Sequence, residues 1–203
     1  MDTRTSFRYA VQDAQSFNTD KIDRRPGFIS SVARMGKSQK RDIRALPQIS
    51  NGRRGPVADA ARQMADGTTS ALEQAKQAFD VINRLQPELN AFAHIAAESE
   101  LMELAETLDR ERAEGKIRSP LHGLPISVKD VIHVKGMPTS SGSKVMEGFM
   151  PTDDATAVRL LREAGAIIMG KAHTHEFALG VTTPQSRNPW DHSRDPGGSS
   201  GGS

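Results

Sequence analysis

Apolar residues settle into regular spacing only from residue 57 onward. Val57 to Ala65 predicts a short helix ended by Gly67. Thr69-Ser70 then open a longer helix, with Ser70 and Glu73 in capping-box spacing. Leu72, Ala75, Phe79 and Ile82 recur at three and four residues, which gives one buried face. Pro87 is expected to end it. A third helix follows Asn90–Ala93, with Ala97, Leu101, Leu104, Ala105 and Leu108 inward. Its acidic and basic side, from Glu98 to Arg112, reads as a solvated face, Asp109 included. Beyond a turn at Pro120–Gly123, two β-rich runs flank Lys129-Asp130: Ile126 and Val128 before it, Val131, Ile132 and Val134 after it. Residues 136–143 form a loop rich in hydroxyls. Asp153-Asp154 are expected to cap a helix running to Ala164, with Val158 and Leu161 inward and Gly165 at its end. Ala166–Met169 reads as a buried strand. Helix, short apolar strand and loop in alternation predict an α/β domain, its helices packed on a mixed or parallel sheet with Lys129 near a strand end.

Residues 1–56 break this pattern. Proline and glycine punctuate them without any sustained period, and they carry 12 Lys/Arg against 5 Asp/Glu. The remaining 147 residues are net acidic, so the basic character belongs to this arm alone. Its aromatics are too few for a stacking surface, which favours a disordered leader over a nucleic-acid arm. Two units are therefore expected, the arm over 1–56 and the domain over 57–203. No cysteine is present, which removes disulfides and thiolate zinc sites, and no apolar run reaches membrane-spanning length. A cytoplasmic protein without membrane contact is expected.

Two segments about seventy residues apart carry the candidate chemistry. Gly123-Leu-Pro-Ile-Ser-Val-Lys-Asp130 sets a lysine in an apolar strand, where burial drives an amine toward its neutral, basic form. Pro196-Gly-Gly-Ser-Ser-Gly-Gly-Ser203 sets serines in a glycine-rich loop. Read alone, that loop is a flexible linker. Asn188-Pro-Trp190-Asp191 just before it is not linker composition, and it holds the single tryptophan. Lysine with serine is one way to activate a hydroxyl nucleophile. Two other motifs fail. Gly165-Ala-Ile-Ile-Met-Gly170-Lys171 has phosphate-loop spacing, but Ala172 replaces the metal-binding hydroxyl and the strand lies between the glycines. His173-Thr-His175-Glu176 lacks a third ligand, so no metal is expected and these residues read as structural.

The ordered set of segments resembles the amidase signature family. It comprises Leu121–Asp130, Gly136–Ser143, Asp154–Ala166, Gly170–Phe177, Arg187–Asp191 and Pro196–Ser203. The resemblance covers about residues 57–203 and implies the N-terminal portion of an α/β/α fold around a mixed sheet, truncated. It implies amide hydrolysis by a Ser–cis-Ser–Lys triad without cofactor. Lys129 takes the place of the base-system lysine and Ser199 that of the bridging serine whose peptide is held cis. Ser200, Gly197 and Gly198 take places beside the substrate. The nucleophilic serine is expected beyond Ser203, so the chain alone is expected to be inactive. The implied partner is a small-molecule amide, and a homodimer is compatible. The A subunit of a glutamine-dependent aminoacyl-tRNA amidotransferase shares the fold and triad and is an alternative, with nucleic acid met only indirectly. Thr182-Thr-Pro-Gln185 favours a general amidase. A second alternative is a non-catalytic truncated product that acts only by binding.

Overall fold

A computed structural model describes residues 55–203. The arm expected over residues 1–56 lies outside the described residues, save Gly55 and Pro56. Helix α1 spans Pro56–Ala65, with the proline at a first-turn position whose N–H would be unpaired in any case. Helix α2, Ala71–Leu89, carries the full capping box between Ser70 and Glu73. Its start has a second anchor. Asp109, from the next helix, accepts from the Ala71 amide at 2.8 Å and the Leu72 amide at 3.0 Å. It therefore satisfies two of the orphan amides of a helix start rather than standing in solvent.

Pro87 does not end α2. It sits in the last turn, where a missing N–H forfeits one hydrogen bond, and the helix continues to Leu89. Asn90 closes it in the left-handed region, φ 46°, with its amide on the Gln86 carbonyl at 2.9 Å. Strand β1, Phe92–Ile95, follows where no strand is expected from sequence; four residues are too few to show alternation. Helix α3, Glu98–Ala113, buries Leu101, Ala105 and Leu108, and Ala97 is its cap rather than part of its face.

Strand β2 is Pro125–Lys129. The second apolar run is not a strand. The Ile132 amide turns back to the Lys129 carbonyl at 2.9 Å, and Val134 enters the core from this turn. Helix α4, Thr156–Glu163, starts at Ala155 without a side-chain cap. Asp154 instead accepts from the Lys135 amide at 2.8 Å and pairs with Arg162 at 3.1 Å. Strand β3, Ile167–Ala172, is buried along its whole length and runs three residues further than expected.

The sheet has the order β1-β3-β2, with β1 antiparallel and β2 parallel to the central β3. It is therefore mixed, one of the two arrangements that the α/β reading allows. One core joins it to the helices through Ala75, Leu101, Ala105, Leu108, Val128, Val158 and Ile167–Met169. No described helix is long and apolar enough to cross a membrane.

Candidate functional site

Strands β2 and β3 run parallel, so their C-terminal ends lie side by side, with Lys129 paired to Ala172. Chain leaving such ends is where open α/β sheets place their ligands. Lys129 is the last residue of β2 and only half-buried. Its Nζ donates to Ser199 Oγ at 2.7 Å across 70 residues of sequence. The Gly198–Ser199 peptide is cis. The Ser199 carbonyl accepts from the His175 amide at 3.0 Å and from Thr174 Oγ1 at 2.8 Å. Both donors belong to the segment that continues β3.

The glycine-rich loop is an ordered structure and not a linker. The Gly197 amide donates to Asp195 Oδ1 at 2.5 Å, and the other Asp195 oxygen accepts from the Thr183 amide at 2.7 Å. The Gly201 amide reaches Thr183 Oγ1 at 3.0 Å. At Gly198 a side chain would collide with the Thr182 backbone, its Cβ 2.5 Å from the carbonyl oxygen; at Gly202 it would strike the Ala91 carbonyl and the His173 amide. Glycine here permits close backbone approach. Ser200 presents an exposed side chain beside Ser199. The Asn188–Asp191 segment makes a surface turn of its own, closed by the Asp191–Arg194 pair at 2.9 Å, and leaves Trp190 94% exposed rather than at Lys129.

Full burial belongs to a different lysine. Lys171, in β3, is 0% exposed, and Asp130, the residue after Lys129, is 1% exposed. Their charged groups meet at 2.9 Å. Lys171 Nζ donates to Thr139 Oγ1 at 2.7 Å and to the Pro138 carbonyl at 3.1 Å. Asp130 Oδ2 accepts from Ser140 Oγ at 2.5 Å and the Ser140 amide at 3.1 Å. Asp130 Oδ1 receives no directed hydrogen bond, so its contact with the ammonium is one of charge. Burial pulls the Lys171 amine below the ordinary lysine range, and Asp130 opposes that fall. Sequence reasoning met Lys171 only as a failed phosphate-loop lysine. The signal it missed was position: a charged residue in a continuous apolar run must find a buried partner.

The histidine segment is structural in its contacts. His175 Nδ1 lies 2.8 Å from the Thr182 carbonyl, and Glu176 accepts from Ser143 Oγ at 2.6 Å. Among the described residues no group of three His, Cys, Asp or Glu could hold a metal. His173 Nδ1 is buried without a partner. Burial pushes its imidazole below the ordinary histidine range of 6.5, against the opposing charge of Asp130. The folded protein therefore takes up this proton only at lower pH than the unfolded chain does. The resulting stability is complete above pH 6.5 and is lost as pH falls through the folded value. Thermal midpoints should thus decline on acidification below that pH, before most carboxylates titrate. The slope should flatten in His173→Gln; an unchanged slope would assign the decline elsewhere.

A cavity of about 500 Å³ lies between α3, β1 and the 135–137 turn, lined by His94, Glu100, Leu101, Met137 and Arg162. Neither Lys129 nor Ser199 lines it.

Comparison with known proteins gives a consistent picture. The family model described as Amidase matches residues 73–203. The A subunit of the glutamyl-tRNA(Gln) amidotransferase of Rhodopirellula baltica is 45% identical over 145 residues, which is 69% of this chain and 29% of that protein. The native peptide amidase of Stenotrophomonas maltophilia superposes with a TM-score of 0.65 at 36% identity, covering 72% of this chain and 32% of its own. The corresponding A subunit of the Thermotoga maritima glutamyl-tRNA(Gln) amidotransferase gives 0.56 at 29% identity, covering 72% and 30%. The chain thus spans about a third of the length of the proteins it matches.

Proposed function

The chain belongs to the amidase family, and on that premise we propose that Lys129 and Ser199 form the proton-transfer half of a site that hydrolyses carboxylic amides. The observation that carries the reading is the 2.7 Å hydrogen bond between them, made by two short motifs 70 residues apart. In this mechanism a serine hydroxyl from the remainder of the fold attacks the amide carbon. Its proton passes to Ser199 Oγ as the Ser199 proton passes to the Lys129 amine. Collapse of the tetrahedral intermediate expels the amine, which takes a proton back along the same path. Water then attacks the acyl ester, giving its proton through Ser199 to Lys129, and the same path returns a proton to the departing serine oxygen. The donors that hold the oxyanion are also assigned to the remainder of the fold. Ser200 and the Gly197–Gly198 backbone border the substrate in this reading. Residues 57–203 form the N-terminal part of the catalytic domain, with the preceding residues outside it.

A second reading makes the chain part of the A subunit of an amidotransferase, with glutamine as the amide hydrolysed. The 45% identity to the Rhodopirellula baltica protein favours it. The same experiment separates the two. A completed chain, in which these residues are continued by the rest of the family fold, is assayed for ammonia release from small amides, a peptide amide and glutamine. Hydrolysis that collapses in Ser199→Ala supports the proposal, whereas hydrolysis that survives it, or a folded chain inert toward every amide, refutes it. Activity confined to glutamine selects the second reading. On this reading, which assigns the attacking serine to the remainder of the fold, the 203 residues alone are expected to show no turnover above background.

A further inference from the structure

We propose that the buried Asp130–Lys171 ion pair is a positioning device that sets the distance between Lys129 and Ser199 by cross-tying the ends of β2 and β3. This rests on the reading of Lys129 and Ser199 as a proton-transfer pair. Neither residue of the ion pair touches the reacting groups.

The geometry forms a closed circuit. Lys129 ends β2, and Asp130 follows it directly with its amide on the Ala172 carbonyl of β3 at 3.0 Å. Ser199 hangs by its carbonyl from Thr174 and His175, three and four residues beyond Lys171. The separation of the two side chains is thus inherited from the separation of two strand ends. Lys171 and Asp130 clamp those ends together at 2.9 Å. The same two residues hold the hydroxyl loop: Thr139 and Pro138 through Lys171, Ser140 through Asp130. The Ser141 amide returns to the Asp130 carbonyl at 3.2 Å. The Ser141 carbonyl in turn accepts from the Phe177 amide at 2.8 Å, which ties the loop to the segment that carries Ser199.

Alternation along a strand separates the faces. Lys171 is the register partner of Val128 and Ala172 that of Lys129, so Lys171 and Lys129 lie on opposite faces of the sheet, as successive positions do. The ion pair therefore braces the strand end from behind and leaves the Lys129 side open. An apolar pair of similar volume would serve stability as well or better, since burying two charges costs more than their attraction commonly returns. What the ion pair adds is a fixed distance between two backbone segments, while direction comes from the hydrogen bonds each partner makes to the hydroxyl loop.

The test is the double variant Asp130→Asn/Lys171→Met in the completed chain. The asparagine oxygen still accepts from Ser140, and both buried charges are gone. We expect kcat to fall by about 10²-fold with KM little changed, because sub-ångström placement governs proton transfer while the substrate surfaces stay intact. In the 203-residue chain, an amine-reactive reagent should modify Lys129 several-fold faster, read by mass spectrometry, once Ser199 no longer holds the amine. Wild-type kcat and labelling rate in a folded double variant overturn the proposal. Should the double variant not fold, Ser140→Ala is read in its place; it removes one tie and no charge, and it should lower kcat by a smaller factor at constant KM. An unchanged kcat in Ser140→Ala would then overturn the proposal. Lys129→Ala and Ser199→Ala serve as controls. If they retain turnover, the reading of the site fails; if they abolish it and the double variant does not move kcat, only the positioning role fails.

Discussion

Lys129→Ala in the completed chain should lower kcat for amide hydrolysis by about 10⁴-fold or more, the scale seen when one member of a proton-transfer unit is removed. The amine that Ser199 contacts at 2.7 Å would be gone, and the other lysine of the sheet cannot replace it, since Lys171 is committed to the buried pair. KM should change little, because Lys129 is assigned to proton transfer and not to holding substrate. Lys129→Arg is the discriminating companion. Arginine is always charged and keeps the donor, but it does not deprotonate in proteins, so it cannot take the Ser199 proton. It should fail as thoroughly as alanine. Substantial rescue by arginine in a steady-state assay would recast Lys129 as an electrostatic anchor and remove it from the proton path.

Lys171→Ala should be the most destabilising single substitution in the sheet, at about 3–5 kcal/mol. It strands the Asp130 carboxylate at 1% exposure, leaves an empty space where a lysine stem filled the core, and cuts Thr139 and Pro138 loose. Asp130→Ala should cost a similar amount by stranding the ammonium. Neutralising both partners together should cost much less than the two single changes combined, which is the signature of direct coupling. Urea denaturation of the four proteins measures this cycle. Additive losses would show that the two groups act separately and that the 2.9 Å contact carries no energy of its own.

Local chemistry was legible in the sequence, and long-range closure was not. The capping box at Ser70–Glu73, the Leu101, Ala105 and Leu108 positions of the α3 stripe and the turn at Pro120–Gly123 are set by neighbours in the chain, and the structure has them where the sequence places them. Strand β1 escaped because four residues carry no period; its partner, β3, lies more than seventy residues away. Val131–Val134 misled because β-branched residues also suit a turn that dips into a core, as Val134 does. Asp109 and Asp154 read as a solvated charge and a helix cap. Their partners, the start of α2 and the Lys135 amide, were invisible without the fold. Ser199 could be matched with Lys129 only through resemblance to a family, since nothing in the spacing fixes that contact. Lys171 shows the limit most plainly. Its burial is a property of the assembled sheet, and the local pattern suggested only a phosphate loop that was not there.

The sheet order has a consequence for how the protein emerges during synthesis. Both ladders run through β3, and β1 and β2 do not touch each other. A growing chain that has released residues 55–160 can form its first three helices, but it has two strands with nothing to pair. The pairing surface arrives only when Ile167–Ala172 leaves the ribosome, and that one segment then closes both ladders and delivers the Lys171 ammonium to Asp130. Until then the apolar edges of β1 and β2 and an unpaired Asp130 are exposed together. A translational pause while Ile167–Ala172 is still inside the ribosome would hold the nascent chain in its most aggregation-prone state, and one after that segment has emerged would release it.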